Sequence, residues 1–205
     1  AAEVGRRSMH EVKTHFEPVG FGTPADPGTK QTGRATYTIG QCLHAAAAND
    51  REVTYSFLPE AGGDMFKAVR VQGGAVCKTQ GSIKNCTVDA CKTAFCIHTH
   101  LVGNRISGQD LAVAIKLPTR QMSGILTPRG VYFYRPTAAL KRAFQRLSSS
   151  DQRRARDRWR SMGFVLEQAT QRGDVAEYLA YLRGEGFDVS YRPWSDIGAE
   201  DRVWF

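Results

Sequence analysis

The chain has 205 residues, enough for one medium domain or for one domain with a helical extension. Its hydrophobic fraction of 41% supports a real core, while no apolar run is long enough to cross a bilayer. The net charge of +8 admits acidic partners, whether nucleic acid, anionic surfaces or acidic proteins, and is equally compatible with a plain solvated basic surface.

Residues 1–33 read as an extended N-terminal arm, in which Pro18, Pro24, Pro27 and several glycines oppose regular structure. The chain opens on Ala1-Ala2-Glu3 without Met or a signal-like stretch, as a mature product or a fragment of a larger one does. Residues 34–38 are strand-like, and the alanine run predicts a helix over 39–49. Residues 52–58 have strong strand propensity. Two further strands are expected at 65–71 and 75–79, around Gly73-Gly74. Residues 92–100 are apolar and β-prone, so they predict a buried strand that surfaces at its end. A helix is expected over 107–117, with Ser107 as N-cap, Asp110 at the N3 position and Pro118 as the stop. Strands at 122–127 and 131–134 flank a Pro128-Arg129-Gly130 turn, and Tyr132 and Tyr134 share a face. After Pro136 the character changes to helices at 137–147, 151–171 and 174–182. Ser150 and Asp151 are expected to cap the second and Gly184 to end the third.

Five cysteines are present, and Cys77, Cys86, Cys91 and Cys96 crowd the segment before the last-named buried strand's histidines. They lack a Cys-x-x-Cys spacing, which argues against a zinc ribbon. The cluster points to disulfides and an oxidising compartment, so a secreted or periplasmic protein is expected, with a cytoplasmic protein carrying free thiols as the alternative. Pairing Cys77 with Cys86 and Cys91 with Cys96 would close two short loops. Other pairings remain open, and Cys42 is the expected free thiol.

The chemistry concentrates at His98-Thr99-His100, Ser107 and Asp110. Strand side chains alternate faces, so His98 and His100 project from the same one. Asp110, ten residues on, adds an oxygen donor at the start of a helix. Two histidines, a carboxylate and an open position are the inventory of a hydrolytic zinc site. Each part alone has a plainer reading: a His pair on a strand is usually structural, and Ser-x-x-Asp before an apolar run is a helix cap. Such a site also needs a general base, for which Glu52 is the first candidate, ahead of Glu60 and then Glu17 and Glu11. A rival Cys96, His98, His100 set would spread over about 13 Å of strand, too long to chelate one ion easily.

Together, Glu52, His98-Thr99-His100, Ser107 and Asp110 resemble the motif of the JAMM (MPN-plus) zinc metallopeptidases. The likeness covers roughly residues 34–136, including the 126–132 hairpin, which is similar to that of bacterial JAMM-like domains. The loop before Ser107 is one residue shorter than the family's, Leu101 replaces its usual Pro, and the cysteine cluster is not a family feature. The resemblance implies an α/β fold of the JAMM/MPN-like, cytidine-deaminase-like kind: a mixed sheet flanked by helices, here over 34–136, with 137–205 as a helical C-terminal extension. It further implies that His98, His100 and Asp110 bind Zn2+, that Glu52 is the general base, and that Ser107 helps hold the oxyanion. The expected function is hydrolysis of a peptide or isopeptide bond in a protein substrate, as in a secreted effector or toxin. The alternative is a non-catalytic, disulfide-stapled binding module of the same fold that recognises a protein or nucleic acid through basic helices.

The densest charge run, Arg153 to Arg160, spreads around a helix with Asp157 among the arginines and Trp159 as its one aromatic. It reads as a solvated face able to meet an acidic protein, with nucleic acid a weaker expectation. Val175, Tyr178, Leu179, Tyr181 and Leu182 make an apolar stripe that packs on the core, whereas Trp194, Trp204 and Phe205 are open between core and docking patch.

Overall fold

The structure is a computed structural model. It describes residues 31–35, 51–59, 66–76, 95–100, 102–117 and 122–196, those before His98 by their backbone. Among them, seven strands form one mixed sheet: β1 (Gln31–Ala35), β2 (Arg51–Pro59), β3 (Phe66–Val76), β4 (Phe95–Thr99), β5 (Met122–Leu126), β6 (Gly130–Pro136) and β7 (Phe187–Pro193). Their order across the sheet is β1-β3-β2-β4-β5-β6-β7. Five helices follow the chain as α1 (Gly108–Lys116), α2 (Ala138–Gln145), α3 (Ser149–Val165), α4 (Glu167–Gln171) and α5 (Ala176–Glu185).

Only β4 and β5 run parallel; the other described pairs are antiparallel. A parallel neighbour requires a crossover, and α1 lies within it. One row of register partners crosses five strands: Thr54, His98, Ile125, Tyr132 and Tyr191. Partners in register share a face, so this row marks the side on which the helices sit. Ile125, Tyr132 and Tyr134 pack there in one core with Leu111 and Ile115 of α1, Phe144 of α2, Trp159 of α3 and Tyr178 and Leu182 of α5. Trp159 joins three elements, its ring stacked on Phe144 at 5.9 Å and edge-on to Phe187 at 5.2 Å. The α/β class with a mixed sheet flanked by helices is therefore as expected.

Several boundaries differ from expectation. The two strands expected around Gly73-Gly74 are one continuous β3, whose pairing with β2 shifts register between Arg51 and Val53. The expected 151–171 helix breaks at Leu166, which is buried and ends α3 with φ −94° and ψ 6°. Its cap is Ser148 rather than Ser150, because the Ser148 hydroxyl accepts from the Asp151 backbone N–H, three residues on, at 3.2 Å. Gly186, left-handed at φ 104°, ends α5 in place of Gly184. The described part of the expected helical extension, 137–196, holds a strand as well as helices. Its last strand, β7, completes the sheet beside β6, driven by the alternation of buried Phe187 and Val189 with exposed Asp188 and Ser190. The apolar stripe of α5 packs on the core as expected, and Trp194 is buried, donating from Nε1 to the Thr127 carbonyl at 2.7 Å. Residues 1–30 of the arm, the 39–49 helix, Trp204 and Phe205 lie outside the described residues, while residues 31–33 open β1 instead of closing an irregular arm. So do Cys42, Cys77, Cys86 and Cys91, whereas Cys96 stands in β4. No described helix is long and apolar enough to cross a membrane.

Candidate metal centre

β4 delivers two imidazoles at the carboxyl end of a central strand. His98 and His100 share the helix-covered face, while Thr99 between them is buried on the other. The backbone N–H of His100 still bonds to the Leu126 carbonyl at 2.8 Å, so the second imidazole rides on the sheet rather than on a free loop. The chain then turns through residues 102–107 into α1. Ser107 caps that helix: its Oγ accepts from the Asp110 N–H at 3.0 Å, and Asp110 Oδ2 accepts from the Ser107 N–H at 3.2 Å. This reciprocal box sets the Asp110 carboxylate at the mouth of the helix.

The three side chains meet there. His98 Nε2 stands 3.1 Å from His100 Nε2, 3.3 Å separate His98 Nε2 from Asp110 Oδ1, and 3.2 Å separate His100 Nε2 from Asp110 Oδ2. Two donors held about 2.0–2.2 Å from a tetrahedral ion stand about 3.3–3.6 Å apart. The observed separations of 3.1 to 3.3 Å lie at and just below the lower limit of that range. His100 Nδ1 lies 3.1 Å from the Arg105 carbonyl oxygen, which can only accept, so Nδ1 carries a proton and Nε2 is the nitrogen turned to the cluster, placed to donate a hydrogen bond to Asp110 or to give its lone pair to a metal. Burial alone would push the Asp110 carboxyl up. The charge of His98 and the hydrogen bonds from His100 and His98 outweigh it and hold the carboxyl well below its usual range. Two imidazole nitrogens and a carboxylate thus converge, largely shielded from water, and this His-His-Asp group can bind a metal ion.

The remaining expected residues divide. Ser107 lies beside the cluster, its hydroxyl accepting within the cap and retaining a proton to donate. Glu52 belongs to β2, the antiparallel neighbour of β4. Thr54 is in register with His98, and Glu52 lies two residues before Thr54 in β2, toward the His100 end. Cys96 is in register with Ser56 and Ser123, one full strand repeat before His98. Glu60, Glu17 and Glu11 lie outside the described residues.

Sequence reasoning missed what holds the loop. Asn104 is buried and bonded on every side. Its Nδ2 donates to the Thr170 carbonyl at 2.7 Å and its Oδ1 accepts from Thr127 Oγ1 at 2.6 Å. Its carbonyl accepts from the Tyr132 hydroxyl at 2.9 Å, and the Tyr191 hydroxyl lies 3.3 Å from Nδ2. Two residues on, the Tyr178 hydroxyl both donates to the Ile106 carbonyl and accepts from its N–H, at 3.0 and 3.1 Å. Arg105, between these two anchors, is thereby fixed to orient His100. The pairing of a Gly103-Asn104 turn with partners 66 to 87 residues away leaves no local pattern to read. No family model, curated protein or solved structure matches this chain.

Proposed function

We propose that the protein is a metal-dependent hydrolase of peptide or isopeptide bonds, with zinc as its metal and a JAMM-like core. The observation that carries this reading is the convergence of His98 Nε2, His100 Nε2 and the Asp110 carboxylate at 3.1 to 3.3 Å, with the His100 tautomer set by Arg105. Imidazole and carboxylate suit zinc, and three protein donors leave a fourth position open, as catalysis requires. When bound, such a metal supplies Lewis acidity and makes water a usable nucleophile near neutral pH. Glu52 accepts the proton of the attacking water and passes it to the leaving amine, a role supported by its register position on the strand next to His98. Ser107 donates its hydroxyl proton to the oxygen on which charge develops, aided by the positive end of α1. The clustered cysteines favour a secreted or periplasmic setting, that of an effector or toxin.

Metal content tests this first. Protein purified without chelator is expected to hold about one zinc per chain, and His98→Ala to lose it. Glu52→Gln should keep the metal and lose peptidase activity by about 10²- to 10⁴-fold. Absence of zinc after its addition at neutral pH overturns the hydrolase reading, and a Glu52→Gln variant of unchanged function would favour the binding module instead.

A further inference from the structure

We infer that Arg156 and Arg160, with Arg153 and Arg105 on either side of them, form a carboxylate-binding rim beside the metal centre, selecting a polypeptide that is acidic next to the bond cleaved. That the rim serves a substrate rests on the hydrolase reading above; that it binds carboxylates does not.

The rim is assembled by close helix packing. A Cβ at Gly108 would stand 2.5 Å from the Arg156 carbonyl oxygen and 3.3 Å from Arg160 Cβ, so only glycine lets the first turn of α1 lie against α3. That same turn carries Ser107 and Asp110. Arg156 donates from Nη1 to Gln109 Oε1 at 3.2 Å, one residue from the metal-facing carboxylate. On the other flank, the Arg105 side chain crosses α3 at Gly163 and lays its guanidinium 3.8 Å over the Phe164 ring. The Arg160 guanidinium lies 5.6 Å from the same ring. Arg153, Arg156, Arg160 and Phe164 follow a helical stripe at spacings of three, four and four. The stripe therefore runs up α3 and ends at the loop whose carbonyl orients His100.

The charges on this stripe are placed differently from those around it. Arg158, further round α3, is committed to Glu185 by two bonds of 2.8 and 3.2 Å. Among the described residues Arg153 and Arg160 are exposed and make no ion pair. Guanidinium forks match carboxylates and phosphates alike. Two features favour separate carboxylates over a nucleic-acid backbone. Asp157 stands within the stripe, 3.9 Å from Arg156, and would repel a continuous phosphate track. Among the described residues the one exposed aromatic ring, Phe164, is stacked by Arg105, which removes the stacking platform that single strands use.

The test is fluorescence anisotropy with a labelled peptide of alternating Gly and Glu against its Gly and Gln counterpart. Wild type is expected to prefer the Glu peptide by about tenfold or more. The double variant Arg156→Gln/Arg160→Gln should erase that preference, and Arg142→Gln/Arg146→Gln, on α2 and at its C-cap with the same loss of charge, should keep it within about twofold. Should the double variant melt early by circular dichroism, Arg160→Gln alone, at an exposed position, carries the test. Equal loss in both double variants would show diffuse charge and overturn the rim. Tighter binding of a 12-nucleotide single-stranded DNA that depends on Arg156 and Arg160 would overturn it in favour of nucleic acid. Zinc stoichiometry is read separately: a wild type that holds zinc but shows no peptide preference sinks the rim alone, and a wild type with the preference but without zinc sinks the hydrolase reading alone.

Discussion

Asp110 carries two duties with one carboxylate: it closes the α1 capping box and faces both imidazoles. Removing its charge should affect both. Asp110→Asn is expected to weaken zinc binding by about 100-fold or more, measured by competition with a chromophoric chelator. The carboxyl is depressed in the folded state, so in metal-free protein its stabilising contribution is complete above the ordinary carboxylate range and disappears as pH falls through the folded value. Urea unfolding from pH 7 down to pH 3 should show wild type losing stability on that limb and Asp110→Asn following a flatter course. Asn104 is the second informative residue. Asn104→Ala removes two buried hydrogen bonds, from Nδ2 to the Thr170 carbonyl and from Thr127 Oγ1 to Oδ1, a cost of about 1–3 kcal/mol. Because Arg105 follows it, zinc affinity should also drop, by about tenfold, and a variant that is destabilised but binds zinc normally would disprove the positioning role.

At the scale of elements, the contact of α1 with α3 sets the shape of the centre. Gly108→Val would drive a side chain into the Arg156 carbonyl, which cannot swing away as a side-chain tip would. A loss of about 1–3 kcal/mol is expected, together with weaker zinc binding as the first turn of α1 lifts; thermal melts with and without zinc check both. This element also shows what a sequence discloses. The Ser107 cap, Asp110 at N3 and the strand pair flanking Pro128-Arg129-Gly130 were readable because each is a local pattern: a cap, a period or a turn. The alternation that makes β7 was equally local in Phe187-Asp188-Val189-Ser190, yet the preceding helical run obscured it. Partners of Asn104, Ile106 and Gly108 lie 23 residues away or more, most of them 48 or more, and were fixed only by tertiary packing, which no window of sequence contains.

For the whole molecule, the division at residue 136 expected from the change in composition does not separate two independent cores. Tyr132 and Tyr134 share one buried cluster with Phe144, Trp159, Tyr178 and Phe187, all beyond that point. A fragment of residues 31–136 is expected to unfold without a cooperative transition and to bind zinc far more weakly than the whole chain, as denaturation monitored by circular dichroism and zinc titration would report. A sharp transition with full zinc affinity would restore the two-part organisation. His98, His100, Ser107 and Asp110 fall within a span that the sequence marks plainly, whereas the clamp that makes them a rigid constellation belongs to the later half.

That clamp has a bearing on the order of events during synthesis. By the time Asp110 leaves the ribosome, every candidate metal donor of the cluster has been made, but Thr170, Tyr178 and Tyr191, which grip Asn104 and Ile106, have not. The nascent chain therefore passes through a long interval with its donors present and their loop unanchored. The rigid arrangement of these donors is complete only when α4, α5 and β7 dock, so under the proposed hydrolase reading the chain would spend its own translation disarmed.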